Sequence, residues 1–72
     1  MSTWARNGYE VAETAFNYDL HLFLVVQNGE TLYEIVPSNL DNQADIINEL
    51  SAGADINGWE DGMGNTISIQ PA

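Results

Sequence analysis

The chain of 72 residues has no cysteine, no lysine, one arginine (Arg6) and one histidine (His21). Without cysteine, neither a disulfide framework nor a thiolate metal site can add stability, so packing or oligomerisation must supply it. That usage fits a reducing cytoplasm. Long apolar runs are also missing: the longest, Leu22 to Val26, has five residues, whereas a membrane span needs roughly 20. The opening Met-Ser-Thr-Trp-Ala-Arg has no apolar signal-peptide region, and the expectation is a soluble, cytoplasmic protein. The shortage of cations is the most restrictive feature. Eleven acids against one arginine give a formal net charge of −10 and a pI near 4.1. Bare nucleic acid and anionic membrane would repel such a chain, while a basic protein surface would attract it quickly and in a salt-sensitive way.

Catalytic groups are equally scarce. His21 and Asp19 would share a strand face and could form an acid–base couple, but nothing else in the sequence converges on them. Ser38, Ser51 and Ser68 sit in no nucleophile elbow. The stretch Asp55-Ile56-Asn57-Gly58-Trp59-Glu60-Asp61 offers oxygen ligands, yet it lacks the EF-hand order of acids at positions 1, 3 and 5 before a glycine at 6. Gly62-Met63-Gly64 has no third glycine and opens no helix, so it is no dinucleotide fingerprint. The expectation is a protein that is not an enzyme and takes neither cofactor nor metal.

What is present suits one small folded domain, residues 1–72. A hydrophobic fraction of 44% is too high for a disordered acidic tail. Residues 1–7 read as a flexible arm. Gly8 to Phe16 fits a strand through Tyr9, Val11 and Ala15 and a helix through Tyr9, Ala12 and Phe16, with strand favoured. Asn28-Gly29 accepts positive φ at both positions and predicts a type I′ hairpin between Leu20 and Val36. An unbroken register pairs Leu24 with Tyr33 and Leu22 with Ile35, placing Leu20, Leu22, Leu24, Val26, Tyr33 and Ile35 in the core. Phe23, Val25, Leu32 and Val36 then form a second apolar face, a candidate homodimer surface unless the N-terminal segment covers it.

Pro37 stops the hairpin. Ser38 or Asn39 can cap a helix over Leu40 to Ala52, and Gly53 is placed to end it. Leu40, Ile46, Ile47 and Leu50 fall on its inner side. After a glycine-rich loop, Thr66 to Gln70 alternates as a short closing strand ended by Pro71. The predicted fold is α+β: an antiparallel sheet of three to four strands with one helix packed on one face, in the order (β)ββαβ.

Six of the eleven acids lie between Asp41 and Asp61, and Asp41, Asp45 and Glu49 recur every fourth residue. On a helix they form one outward stripe, with a cost of about 0.2–0.5 kcal/mol for each like-charged pair that no lysine relieves. Solubility or adaptation to high salt would explain acids in general. A phosphate-like role explains why cations are excluded as well. Carboxylates one helical turn apart advance about 6 Å, close to the roughly 6.8 Å of two nucleotides along a DNA strand. Asp41, Asp45 and Glu49, extended by Asp55, Glu60 and Asp61, are therefore the candidate partner-binding residues. Crowded acids also predict raised carboxyl pKa values and a fold that gains stability on acidification and on added salt.

Residues 22–69 resemble the small acidic anti-CRISPR and DNA-mimic inhibitor proteins of phages. The resemblance rests on Asn28-Gly29-Glu30 with Tyr33 to Ile35, on Ile46-Ile47, on Asn57-Gly58-Trp59-Glu60-Asp61 and on Thr66-Ile67-Ser68-Ile69. It implies a host-cytoplasmic protein that occupies the nucleic-acid cleft of a basic target, with acids near the last loop, here Asp55, Glu60 and Asp61. The long acidic run that those inhibitors carry between the tryptophan and the final strand is absent here. A structural or assembly module, or an immunity or antitoxin protein for a basic toxin, are the alternative expectations.

Overall fold

The structure, a computed structural model, describes residues 1–70. Four strands, β1 (Thr3–Arg6), β2 (Tyr9–Asn17), β3 (Leu20–Gln27) and β4 (Glu30–Ile35), precede one helix, α1 (Leu40–Ser51). The strands form an antiparallel meander in the order β1-β2-β3-β4. The class is α+β, as the patterning predicts, in the order ββββα. The segment expected to be a flexible arm is β1 instead. Trp4 pairs with Val11 across β1 and β2 and its ring lies 6.1 Å from that of Phe23, so a large aromatic ties this end of the chain to the core.

The β3–β4 turn is as predicted, with Asn28 and Gly29 at φ 55° and 79°, the double positive φ that a type I′ turn needs. The register beyond it is not. Val26 faces Thr31, but the next pair is Val25 with Tyr33, so Leu32 is the extra residue of a β-bulge. The one-residue shift reverses the expected face of β3. Phe23 and Val25 are fully buried with Ile35, whereas Leu20, Leu22, Leu24 and Val26 are only half-buried. Cross-strand partners supply the physical reason. Leu24 sits opposite Glu34 and Val26 opposite Glu10, so a helix laid on the leucines would bury two unpaired carboxylates. Phe23 and Val25 lie instead in line with Val11 and Ile35.

Helix α1 covers that second face with Ile46 and Leu50. Leu40, expected on the inner side, is exposed, and Gln43 is buried there in its place. Gln43 accepts from the His21 N–H (2.7 Å) and donates to the Asp19 carbonyl (3.3 Å), a satisfied polar pin between α1 and the β2–β3 turn. Asn39 caps the helix by accepting from the Asn42 N–H at 2.8 Å. At the other end, Ala54 N–H donates to Glu49 O and Gly53 N–H to Leu50 O, with Gly53 at φ 98°, a Schellman ending.

The remaining chain closes the core rather than extending the sheet. Ile56, Ile67 and Ile69 are buried. The predicted closing strand over Thr66 to Gln70 reduces to one isolated bridge, Thr66 with Glu60. Ile67 exchanges backbone hydrogen bonds with Gly58 and Trp59, and Ile69 N–H donates to the Asn57 side chain. The tail thus pairs with the 56–61 loop because that loop offers the nearest free carbonyls and amides.

Two stability outcomes follow from these contacts. Asn39→Ala should remove about 1 kcal/mol, and Leu50→Ala about 2–5 kcal/mol. In a domain of this size each kcal/mol lowers the melting temperature by about 4–8 °C, measurable by thermal circular dichroism.

Candidate functional site

Asp41 and Asp45 lie on the side of α1 turned away from Ile46 and Leu50, and Glu49 stands on the flank, where it shares a groove with Ile46. Asp41, Asp45 and Glu49 are all exposed, and the last helical turn holds no basic residue. The single arginine does not answer them. Arg6 Nε donates to the Ala54 carbonyl at 2.8 Å, Nη1 to the Ala5 carbonyl at 3.0 Å and Nη2 to the Leu50 carbonyl. The guanidinium therefore serves the carbonyls at the helix C-terminus, where a cation opposes the negative end of the dipole. Among the described residues the one carboxylate in direct contact with a basic side chain is Glu13, whose Oε2 lies 2.5 Å from His21 Nδ1, while Arg6 shares a pocket with Asp55 and helps to lower its carboxyl.

The loop acids divide by role. Glu60 is exposed and meets Glu49 at one groove, of about 420 Å³, lined also by Val36, Asn42, Ile46 and Trp59. Gly62 forms one wall, lying so close to Val36 that an added Cβ would come within 3.2 Å of its backbone and side chain. Asp55 is exposed, yet its Oδ1 accepts from Tyr9 Oη (2.8 Å), Asn57 N–H (3.0 Å) and Asn57 Nδ2 (2.8 Å). These bonds, the Asn57 N–H first and the Tyr9 hydroxyl next, hold its carboxyl below the usual value despite some burial. Tyr9 moves the opposite way, since burial and the neighbouring Asp55 raise its phenol.

Asp61, expected among the surface acids, is buried instead. It is 3% exposed, and its carboxylate accepts from Met63 N–H, Asn65 N–H and Asn65 Nδ2. It builds the turn that Gly62 and Gly64 make possible. The Met63 N–H is the main cause of its lowered pKa, with Asn65 adding to it against the effect of burial. The homodimer face fails as well. Phe23 and Val25 are fully buried beneath the tail and α1, which leaves Leu32 and Val36 as separate, partly exposed residues. The Asp19–His21 couple is replaced by Glu13–His21: Asp19 is exposed in the turn before β3, whereas Glu13, paired with Phe23, lies diagonally across from His21, which pairs with Ala15. No group of three or more metal-binding side chains occurs among the described residues.

Sequence reading missed Arg6, Tyr9 and Glu13. Their partners lie 48, 46 and 8 residues away, and no local motif marks them. A scan against protein families finds no matching model, and neither curated proteins nor solved structures match the chain.

The expected rise of the carboxyl pKa values does not hold at the three acids that are clearly shifted. Burial raises Glu13, but His21 and the Ser2 N–H outweigh it and lower the carboxyl, and Asp55 and Asp61 are lowered too. The folded state then binds fewer protons than the unfolded chain. This contribution is complete above the ordinary carboxylate values of 3.8 and 4.5 and is lost as pH falls through the lower folded values. Urea unfolding should therefore show stability decreasing with acidification through and below that range. Asp61→Asn should flatten the decrease while lowering stability at neutral pH. A second outcome concerns the arginine: Arg6→Gln should cost about 2 kcal/mol by removing charged hydrogen bonds to two helix-end carbonyls, readable in the same assay.

Proposed function

We propose that the protein works by binding rather than catalysis: it presents carboxylates to the lysine- and arginine-rich, nucleic-acid-binding surface of another protein and keeps nucleic acid out. One observation carries the reading. Asp41, Asp45 and Glu49 lie exposed on a capped helix, while the one arginine is engaged by backbone carbonyls elsewhere. Among the described residues the stripe has no cationic partner, and its backbone is already helical, which lowers the entropic cost of association. Glu60 extends it across the groove from Glu49, whereas Asp55 lines a separate pocket beside Arg6.

The resemblance to phage anti-CRISPR and DNA-mimic inhibitors points the same way, with a nucleic-acid-guided or nucleic-acid-cutting effector as the target class. Long-range attraction between opposite charges would give fast capture that weakens steeply with salt. The test is capture of a target at low ionic strength from a lysate of a host with such effectors, followed by elution with salt. The eluted protein should lose DNA or RNA binding when the acidic domain is returned to it. The triple variant Asp41→Asn/Asp45→Asn/Glu49→Gln should reduce both capture and inhibition by about tenfold or more. Unchanged inhibition by the triple variant would sink the reading.

A further inference from the structure

We propose that the sheet face turned away from α1 is a second docking surface, for a partner protein whose contact patch is apolar at its centre and rimmed by lysine or arginine. Leu20, Leu22, Leu24 and Val26 form a continuous column down β3, an inner strand of the sheet. Alternate side chains of a strand share a face, so the column extends about 20 Å. The four are half-buried among their strand neighbours, and α1 and the buried isoleucines of the tail belong instead to the core of Phe23 and Val25 on the other face. A two-layer domain with one apolar sheet face left open is the arrangement that a third layer completes.

Charge selects the occupant. The cross-strand neighbours of the column are Glu10 opposite Val26 and Glu34 opposite Leu24, with Ala12 and Thr14 filling the β2 side. Both glutamates are exposed. The apolar column thus has one carboxylate on each side, with Thr31 and Asn17 as its remaining, uncharged partners, and Arg6 is held at the helix end. A second copy of this chain would bring its own Glu10 and Glu34 and a further net charge of −10 to the same contact. A basic rim pairs those glutamates and an apolar centre covers the leucines, the usual anatomy of an interface. Phe16 and Tyr18, 55% and 99% exposed, stand at the β2–β3 end of the column, and aromatics of this kind anchor interfaces. The surface uses none of the helix acids, so its failure and failure of the helix stripe are separable.

Two synthetic probes test it against the isotopically labelled full chain by NMR: an amphipathic helical peptide of leucine and lysine, and a lysine-only peptide of the same charge. The leucine–lysine peptide should shift the amide signals of Leu20 to Val26, Ala12 and Glu34, whereas the lysine-only peptide should shift mainly those of α1. Leu22→Thr/Leu24→Thr, which keeps good strand formers, should weaken the leucine–lysine peptide by about tenfold and leave the lysine-only peptide unaffected. Glu34→Gln, a surface change that leaves the fold intact, should weaken the first peptide by about threefold. Equal affinity for the two peptides, or shifts confined to α1 with both, would overturn the proposal. So would a dimer seen by sedimentation and abolished by Leu22→Thr/Leu24→Thr, which would give the face to a second copy.

Discussion

One guanidinium joins the two halves of this molecule. Arg6, at the end of β1, donates to the carbonyls of Leu50 and Ala54, on either side of the Schellman ending of α1. Helix ends leave carbonyls without partners, and only a planar fork with several donors can serve two of them from one side chain. Tyr9, three residues on, continues the seam: its hydroxyl donates to Asp55 and accepts from the Ile56 N–H. The first hairpin therefore fixes both where the helix ends and where the tail begins.

That constraint sets the electrostatics of the whole surface. With the arginine committed to carbonyls, the acids fall into two groups. Glu13, Asp55 and Asp61 accept hydrogen bonds that order turns and close the core, and their lowered pKa values express it. Asp41, Asp45, Glu49 and Glu60 meet solvent without a cationic neighbour. A domain of this composition carries repulsion that mixed charges would relieve, and the uncompensated group is where that repulsion is left standing.

The sheet divides the molecule in a second way. The Leu32 bulge lets β4 keep Tyr33 and Ile35 toward the helix while Phe23 and Val25 turn to meet them, and the leucine column goes to the outside. The acidic helix and the open sheet face then lie on opposite sides of one thin domain. Charge acts at long range and apolar contact only on touching, so the two proposed surfaces would act at different steps of recognition, or on different partners.

The features legible in the sequence were local ones. Asn28-Gly29 specified its turn, Asn39 and Gly53 bracketed the helix, and a four-residue spacing put Asp41, Asp45 and Glu49 on one outer stripe, because each depends on backbone conformation over a few residues. Only the tertiary structure decided which side of β3 is core, that Thr66 to Gln70 pairs with a loop, that Asp61 is buried, and that Arg6 answers carbonyls instead of carboxylates. The strand Leu20 to Gln27 carries apolar residues on both faces, so local pattern leaves its orientation free. The choice falls to bulges at Phe16 and Leu32 and to Glu10 and Glu34, which cannot be buried without partners.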